Sequence, residues 1–525
     1  MNACDLANEV ISRCLSIGID EFVFCPGARD APFAQALAEL EDEVRVWHHF
    51  DERSAAFFAL GRIMAIARPV AVITTSGTAA AELLPACIEA HYQARPLLLI
   101  TADRPVEFAG SGAPQSIEQH DLFGKYVDQS IEIENSGPIF EGWTAEGPRH
   151  LNVRLDEPLL KVSSEEPTPH EPEQLATRPQ PGVVDLARFI GEGTWKGLVV
   201  MLGGLEPEER DPVYHFLKDL KVPVLADSTS GLREALGELS LADGDRVLKA
   251  KLPGKVLRLG EVPIGRFWRD LENLPKVEVL SVSPNGYSGL ARASTTIHSP
   301  VAEALESLGM VTEIGDTIDL LINRSSRQSK LSELIERYPD SEPGMIRAIS
   351  LYATISDLVY LGNSLPVREW NLFAQTEHPY SLVRANRGAN GIDGQIASFL
   401  GNAADGGDAW AVLGDLTTLY DANAPALESQ LGEGRRILVV MNNGGGRIFD
   451  RLPGVKTSPD ESQQWIRQET EAKLEHLAKL WGCHYHLATS IDDFEFEPNS
   501  GLTLLEARPS TEETERFWEA YDLIK

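Results

Sequence analysis

Residues 409–415 read AWAVLGD and residues 436–446 read RILVVMNNGGG. Each opens as a short apolar run of the length of a strand buried on both faces, and each stops abruptly at polar residues. Gly414-Asp415 ends the first run, and Asn442-Asn443-Gly444-Gly445 ends the second. Asp415 and Asn443 are 28 positions apart (443 minus 415), room for one crossover helix between neighbouring parallel strands. Ligands of open parallel sheets gather at the carboxyl ends of strands, so the two polar clusters are expected to converge. A carboxylate, an amide oxygen and a free main-chain carbonyl are hard donors, of the kind magnesium takes when phosphate and water complete its octahedron. Taken singly, each half also reads as something plainer: a strand-to-helix turn with Asp415 as N-cap, and a glycine-rich loop.

Working outward, the same alternation recurs along the chain. Strands are expected at 22–25, 44–47, 69–74 and 97–101, then at 197–202, 222–226, 255–259 and 277–282, then at 358–361, 410–413, 436–441 and 502–505. Helical stretches lie between them, among them 54–67, 79–91 and 331–337. The fold class is therefore α/β, with three doubly wound parallel-sheet domains. Residues 163–182 are rich in Pro and Glu without periodicity and read as a linker; YPDSEPG at 338–344 reads as a second break. The expected domains are 1–165, 183–338 and 345–525. Residues 199–204, VVMLGG, lack a full dinucleotide fingerprint and read as a buried strand and turn.

Composition narrows the partners. The 525 residues carry 47 Lys+Arg against 79 Asp+Glu, a formal charge of -32 that repels nucleic acid and anionic membranes alike. Five cysteines without metal-like spacing argue against a disulfide framework or a zinc site. The first 20 residues have no basic start followed by an apolar core, and no run approaches a membrane span, so a cytoplasmic protein is expected.

Gly-Asp followed at this distance by Asn-Asn-x-Gly resembles the signature of thiamine-diphosphate enzymes, in which Asp, the second Asn and the Gly carbonyl hold the metal. Here those residues are Asp415, Asn443 and Gly445. Thiamine chemistry also needs a carboxyl group against the aminopyrimidine ring. Glu52 is the candidate, since it follows the β-like run 44–47 and opens an apolar helical stretch where burial favours the neutral acid. Asp51-Glu52 also fits a simple complement to a helix N-terminus. The neighbouring His48 and His49 read as structural or solvated imidazoles. Thr75 and Ser76, in TTSGT after a strand, stand where hydroxyls and amides line a ligand, and a plain N-cap by Ser76 or Thr78 explains the run nearly as well.

CPGARDAPF, DERSAAFFALG, TSGTAAAELLPACIEAHY, LITADRP, GNSLPVR, NRGANGIDG, GDLTTLYDAN and NNGGGRIF together resemble one family, the 2-succinyl-5-enolpyruvyl-6-hydroxy-3-cyclohexene-1-carboxylate synthases of menaquinone biosynthesis. The motifs run in family order from Cys25 to Phe449 and cover the middle segment only loosely. The resemblance implies a pyrimidine-binding, a central and a diphosphate-binding domain, thiamine diphosphate with Mg2+ or Mn2+, and at least a homodimer, dimer or tetramer. It implies 2-oxoglutarate as donor and isochorismate as acceptor. Both are dianions, which suits arginine.

By the same resemblance Ser364, Arg368 and Arg387 would hold the 2-oxoglutarate-derived part, and Arg29, Arg104 and Gln115 would face isochorismate. Arg266 stands where the family often has Lys. Gly391, Gly414, Leu416, Ile448 and Phe449 would line the cofactor, with Ile392 as an apolar wedge. Each arginine alone reads equally as a surface or salt-bridging residue, and Ile392 as a core residue. Two departures stand out: Ala28 where the family commonly has Ser, and Gly444 where Asn or Asp is frequent. Other thiamine-dependent carboligases or decarboxylases, and a thiamine-fold binding protein without turnover, are the competing readings.

Overall fold

The computed structural model of the chain describes residues 1–160, 172–177, 186, 188, 189, 197–306, 308, 320–322, 324–451 and 454–524. Its strands form three sheets in which every pairing is parallel. The first holds β1 (Glu21–Phe24), β2 (Arg45–His48), β3 (Val70–Thr74), β4 (Leu97–Asp103), β5 (Ser130–Ile133) and β6 (Arg149–Arg154), in the order β2-β1-β3-β4-β6-β5. The second holds β7 (Leu198–Leu202), β8 (Val224–Ala226), β9 (Lys255–Leu259), β10 (Glu278–Ser283) and β11 (Thr295–His298), in the order β11-β10-β9-β7-β8. The third holds β12 (Leu358–Leu361), β13 (Val383–Arg384), β14 (Gly407–Gly414), β15 (Gly434–Met441), β16 (His484–Ala488) and β17 (Gly501–Ala507), in the order β13-β12-β14-β15-β17-β16. All twelve strands expected from apolar runs are present to within a few residues.

Five strands were not legible as apolar runs: β5, β6, β11, β13 and β16. Strand β6, RHLNVR, is the instructive one, because five of its six residues are buried although four are polar. Its polar side chains are satisfied from neighbouring elements. Arg149 pairs with Asp128 at 2.6 Å, His150 Nε2 meets Thr101 Oγ1 at 2.7 Å, and Asn152 Nδ2 donates to Asp103 at 3.0 Å. Buried polar groups persist only when so partnered, which lets a strand lie inside a sheet without an apolar signature.

The chain forms two compact units. One comprises Met1–Pro179 with Gly388–Gly406 and Leu419–Glu433; the other comprises Gln180–Arg387, Gly407–Thr418 and Gly434–Lys525. The first unit draws in the later segments because the helix Glu52–Ile66 packs on the helix Gln395–Asn402 at backbone distance: a Cβ on Gly61 would lie 2.2 Å from the Ser398 carbonyl. Only glycine permits that approach.

The expected linker at 163–182 lies outside the described residues apart from 172–177. That short piece is docked: Glu173 pairs with Arg13 at 2.9 Å and accepts the main-chain N–H of Ile139 and Phe140. YPDSEPG turns directly into the helix Glu342–Tyr352, with the Ser341 side chain accepting from Gly344 N as its cap. The helix expected at 331–337 extends back to Arg324, and that at 79–91 divides into Thr78–Glu82 and Leu84–Gln93. Gly203 and Gly204, after β7, abut Glu261 and form a packed turn. Among the described residues no helix is long and apolar enough to cross a membrane.

Candidate active site

The second unit builds the cradle expected at the ends of β14 and β15. These strands are in register from Gly407↔Gly434 to Gly414↔Met441, so the residues that follow emerge side by side. Asp415 opens a helix, Asp415–Tyr420, and its carboxylate collects main-chain donors: Leu416 N at 2.7 Å and Gly445 N at 2.7 Å. Burial pushes the Asp415 carboxyl up and these N–H groups oppose the rise. Gly445 has φ +126°, and a Cβ there would lie 2.7 Å from the Arg467 carbonyl, so the loop depends on glycine at this position. Ile448 and Phe449 follow in the short helix Arg447–Arg451, and Phe449 lies against Gly446.

Asn443 carries a more specific feature. Its Nδ2 donates to both carboxylate oxygens of Glu342, at 2.9 and 3.1 Å, while its Oδ1 is buried with no protein hydrogen-bond partner. Glu342, the first residue of its helix, is itself buried. A second buried acid, Glu369, is held well above its ordinary range by burial and then by the charge of Glu342. Neither Glu342 nor Glu369 was singled out from the sequence; a lone Glu at a helix start carries no signal until its partner is seen.

The same unit holds the expected donor-side cations. Ser364 sits at φ 75°, a costly conformation for a residue with a side chain, at the start of the helix Leu365–Phe373. Arg368 Nη1 donates to the Ser364 carbonyl. Arg387 Nη1 donates to Asn363 Oδ1 at 2.8 Å. Burial, followed by the charges of Arg387 and Arg269, pushes Arg368 down to about 10. A cavity of about 700 Å³ is lined by Arg266, Arg269, Arg368 and Ile448. Arg266 is mostly exposed there and pairs with Asp270 at 3.0 Å. Arg269, three residues on, was not anticipated.

The first unit holds the other residues. Asp51 caps the helix Glu52–Ile66 by accepting from Ser54 N, and Glu52 takes the first helical position. The two adjacent acids are driven apart. Burial raises Asp51, but the Asn423 amide and Ser54 N–H more than reverse this, leaving it below its ordinary value. Burial raises Glu52, and the charges of Asp51 and Glu82 reinforce it. His49 bridges the main chain at Asp51 and Asn423, a structural imidazole, and His48 is exposed.

At the ends of β1 and β3, Thr75 Oγ1 accepts from Arg29 N at 3.3 Å, and Thr75 and Ser76 are buried. The helix after them is capped by neither Ser76 nor Thr78; Gly77 holds the cap position and donates its N–H to Gln119 at 2.8 Å. Gln115 lies with its main chain over Gly77, its own φ at 55°. Arg29 is buried, donates to the Leu155 carbonyl at 3.0 Å, and is lowered by burial and by the nearby Arg104. Arg104 stacks 5.3 Å from the Phe108 ring and its Nε is buried without a partner. The loop carrying Gly391 and Ile392 is fixed by Glu89, which accepts from Gly388 N, Ala389 N and Asn390 N at 2.7, 2.7 and 3.2 Å.

Three parallel sheets, with an Asp and an Asn loop at adjoining strand ends of the last, define a thiamine-diphosphate type of enzyme. Residues 5–122 match the N-terminal TPP binding domain of thiamine pyrophosphate enzymes. The fold is shared with benzoylformate decarboxylase from Polynucleobacter necessarius (TM-score 0.75, 12% identity, 97% of this chain and 99% of that one). It is shared also with a putative thiamin diphosphate-dependent enzyme from Mycobacterium smegmatis (TM-score 0.71, 16% identity, 97% and 99% covered).

The particular family follows from closer relatives. The chain is 48% identical over 97% of both chains to 2-succinyl-5-enolpyruvyl-6-hydroxy-3-cyclohexene-1-carboxylate synthase of Akkermansia muciniphila. It is 38% identical to the synthase of the same name from Bdellovibrio bacteriovorus, covering 100% of this chain and 99% of the relative. The chain belongs to the 2-succinyl-5-enolpyruvyl-6-hydroxy-3-cyclohexene-1-carboxylate synthase family.

Proposed function

We propose that the chain decarboxylates 2-oxoglutarate with thiamine diphosphate and transfers the succinyl carbanion equivalent to isochorismate. The products are 2-succinyl-5-enolpyruvyl-6-hydroxy-3-cyclohexene-1-carboxylate and carbon dioxide. The observation that carries this reading is the 2.7 Å bond from Gly445 N to Asp415, which closes two strand ends into one cradle in a chain of this family.

The cradle's donors fit a Mg2+ or Mn2+ ion bound with a diphosphate. Among the described residues no three His, Cys, Asp or Glu side chains form a metal cluster, so the proposed set is a mixed one: the Asp415 carboxylate, the Gly445 carbonyl and Asn443 Oδ1. The buried Oδ1 without a protein partner supports that fit, because such an oxygen is costly unless something else meets it. Thiamine diphosphate, when bound, supplies a carbon nucleophile that stabilises the charge left by decarboxylation. Burial and acidic neighbours favour the protonated form of the Glu52 carboxyl, which in that form can offer a hydrogen bond.

Gly391, Ile392, Thr75 and Ser76 in the first unit, and Gly414, Leu416, Ile448 and Phe449 in the second, are the proposed lining of the cofactor. Arg368 and Arg387 with Ser364 bind the carboxylates of the donor; Arg29, Arg104 and Gln115 bind those of the acceptor, with Arg266 at the cavity rim. The pair Arg368 and Arg387 suits a dianionic donor better than pyruvate, which offers a single carboxylate. The reading extends to domains at 1–165, 183–338 and 345–525, and to a cytoplasmic homodimer or homotetramer. The test is product analysis by mass spectrometry with thiamine diphosphate, Mg2+ and isochorismate, supplying 2-oxoglutarate or pyruvate. Carboligation product from 2-oxoglutarate alone is expected; equal use of pyruvate would overturn the donor assignment.

A further inference from the structure

We infer that Glu342 is the residue that sets which way round the Asn443 amide stands, and so turns its oxygen toward the divalent cation. The inference rests on the metal reading above. Asn has a donor end and an acceptor end of nearly the same shape, and only its surroundings decide which faces where. Here the donor end is fixed by two contacts to one carboxylate, at 2.9 and 3.1 Å. The reverse orientation would set the amide oxygen against the Glu342 oxygens, acceptor to acceptor.

Glu342 is itself held rigidly enough for the task. Its N–H donates to Thr514 Oγ1 at 2.9 Å, and the turn before it is locked by the Ser341 hydroxyl, which donates to the Tyr338 carbonyl at 2.7 Å and accepts from Gly344 N at 3.1 Å. Among the described residues Asn443 is the polar side chain that hydrogen-bonds the Glu342 carboxylate. Arg447 acts on Glu342 through its charge but forms no ion pair with it, and a buried acid so weakly compensated is hard to account for as a device for stability, because burial of charge is costly. It is accounted for as an outer-shell group. Such groups orient the ligands they touch, and their loss lowers metal affinity by about 10- to 100-fold.

The experiment uses the full-length protein and reads the Mg2+ dissociation constant at saturating thiamine diphosphate by calorimetry, with no turnover involved. Glu342→Gln, nearly isosteric, presents one donor and one acceptor in place of two acceptors, so the amide loses its preferred orientation. A loss of about tenfold in Mg2+ affinity is expected. In an Asn443→Asp background the ligand is a symmetric carboxylate with no wrong way round, one oxygen of which faces Glu342, so the same Glu342→Gln change relieves an acceptor-to-acceptor contact and is expected to cost no Mg2+ affinity. Equal losses in the two backgrounds would mean that Glu342 acts through charge or general packing, and would overturn the inference, as would unchanged affinity in the single variant. Asp415→Ala is the control. If it weakens Mg2+ binding while Glu342→Gln does not, the inference fails alone; if neither weakens it, the metal reading fails and takes the inference with it.

Discussion

The first and third sheets run six parallel strands in the same order, second-first-third-fourth-sixth-fifth by chain position within each sheet, yet corresponding strand ends carry different chemistry. The second strand ends near Glu52 in the first sheet and near Arg387 in the third. The third strand ends at Thr75 and Ser76 in one and at Asp415 in the other; the fourth ends at Asp103-Arg104 and at Asn442-Asn443. One topology thus supplies equivalent anchor points twice, and the side chains on them decide what each sheet does. The two carboxylates make the contrast sharpest. Burial raises both, but at Asp415 main-chain N–H groups oppose the rise, whereas at Glu52 the charges of Asp51 and Glu82 add to it.

The largest expected effect breaks this contrast at Glu52. Glu52→Gln removes the proton that the first sheet contributes, and carboligation is expected to fall by roughly 10²- to 10⁴-fold, while thiamine diphosphate and Mg2+ affinity stay within about threefold. Undiminished turnover would sink the assignment. Asp415→Ala reverses the pattern: cofactor and metal affinity are expected to drop by on the order of a hundredfold in calorimetry, with far-UV circular dichroism unchanged. Arg368→Ala is expected to raise KM for 2-oxoglutarate by about 10- to 100-fold, the worth of a charge-assisted hydrogen bond, and an unchanged KM would remove it from the donor site.

Smaller effects sharpen the comparison. Gly445→Ala forces a side chain into φ +126° and toward the Arg467 carbonyl, and should lower stability by about 1–3 kcal/mol in denaturant titration. The sixth strands also differ, since β17 is largely apolar where β6 buries His150. Burial pushes His150 down from 6.5 to about 3, with a smaller contribution from His120. Between those values the unfolded chain binds a proton that the folded one does not, so stability is lost as pH falls, by up to about 1.4 kcal/mol per pH unit. His150→Gln should flatten that slope between pH 6.5 and 5 in urea midpoints; an equally steep slope would show that other groups carry it.

How much of this was written visibly in the sequence follows the same physics. AWAVL and RILVVM announce themselves because strands covered on both faces must be continuously apolar, and Asp415 and Asn443 because they interrupt those runs. RHLNVR does not, because its burial is compensated by Asp128, Thr101 and Asp103, which lie 21 to 49 residues away. Glu342 was hidden for a related reason: it lies 101 residues from Asn443, and its role exists only through that contact. The linker reading at 163–182 missed that Glu173 is docked, since an acid in a Pro-rich stretch gives no hint of the Arg13 it meets.

Glu89 has a consequence for how the chain is made. Its carboxylate is buried; Gln93 Nε2 donates to it from the same helix, but the three main-chain amides that also meet it belong to residues 388–390, about 300 positions later. During synthesis from the amino terminus, the first sheet therefore emerges with an acid that has Gln93 beside it but lacks its three main-chain donors. A fragment ending before residue 388 would leave part of that carboxylate to water, so the packing around Glu89 is completed only after most of the polypeptide has left the ribosome.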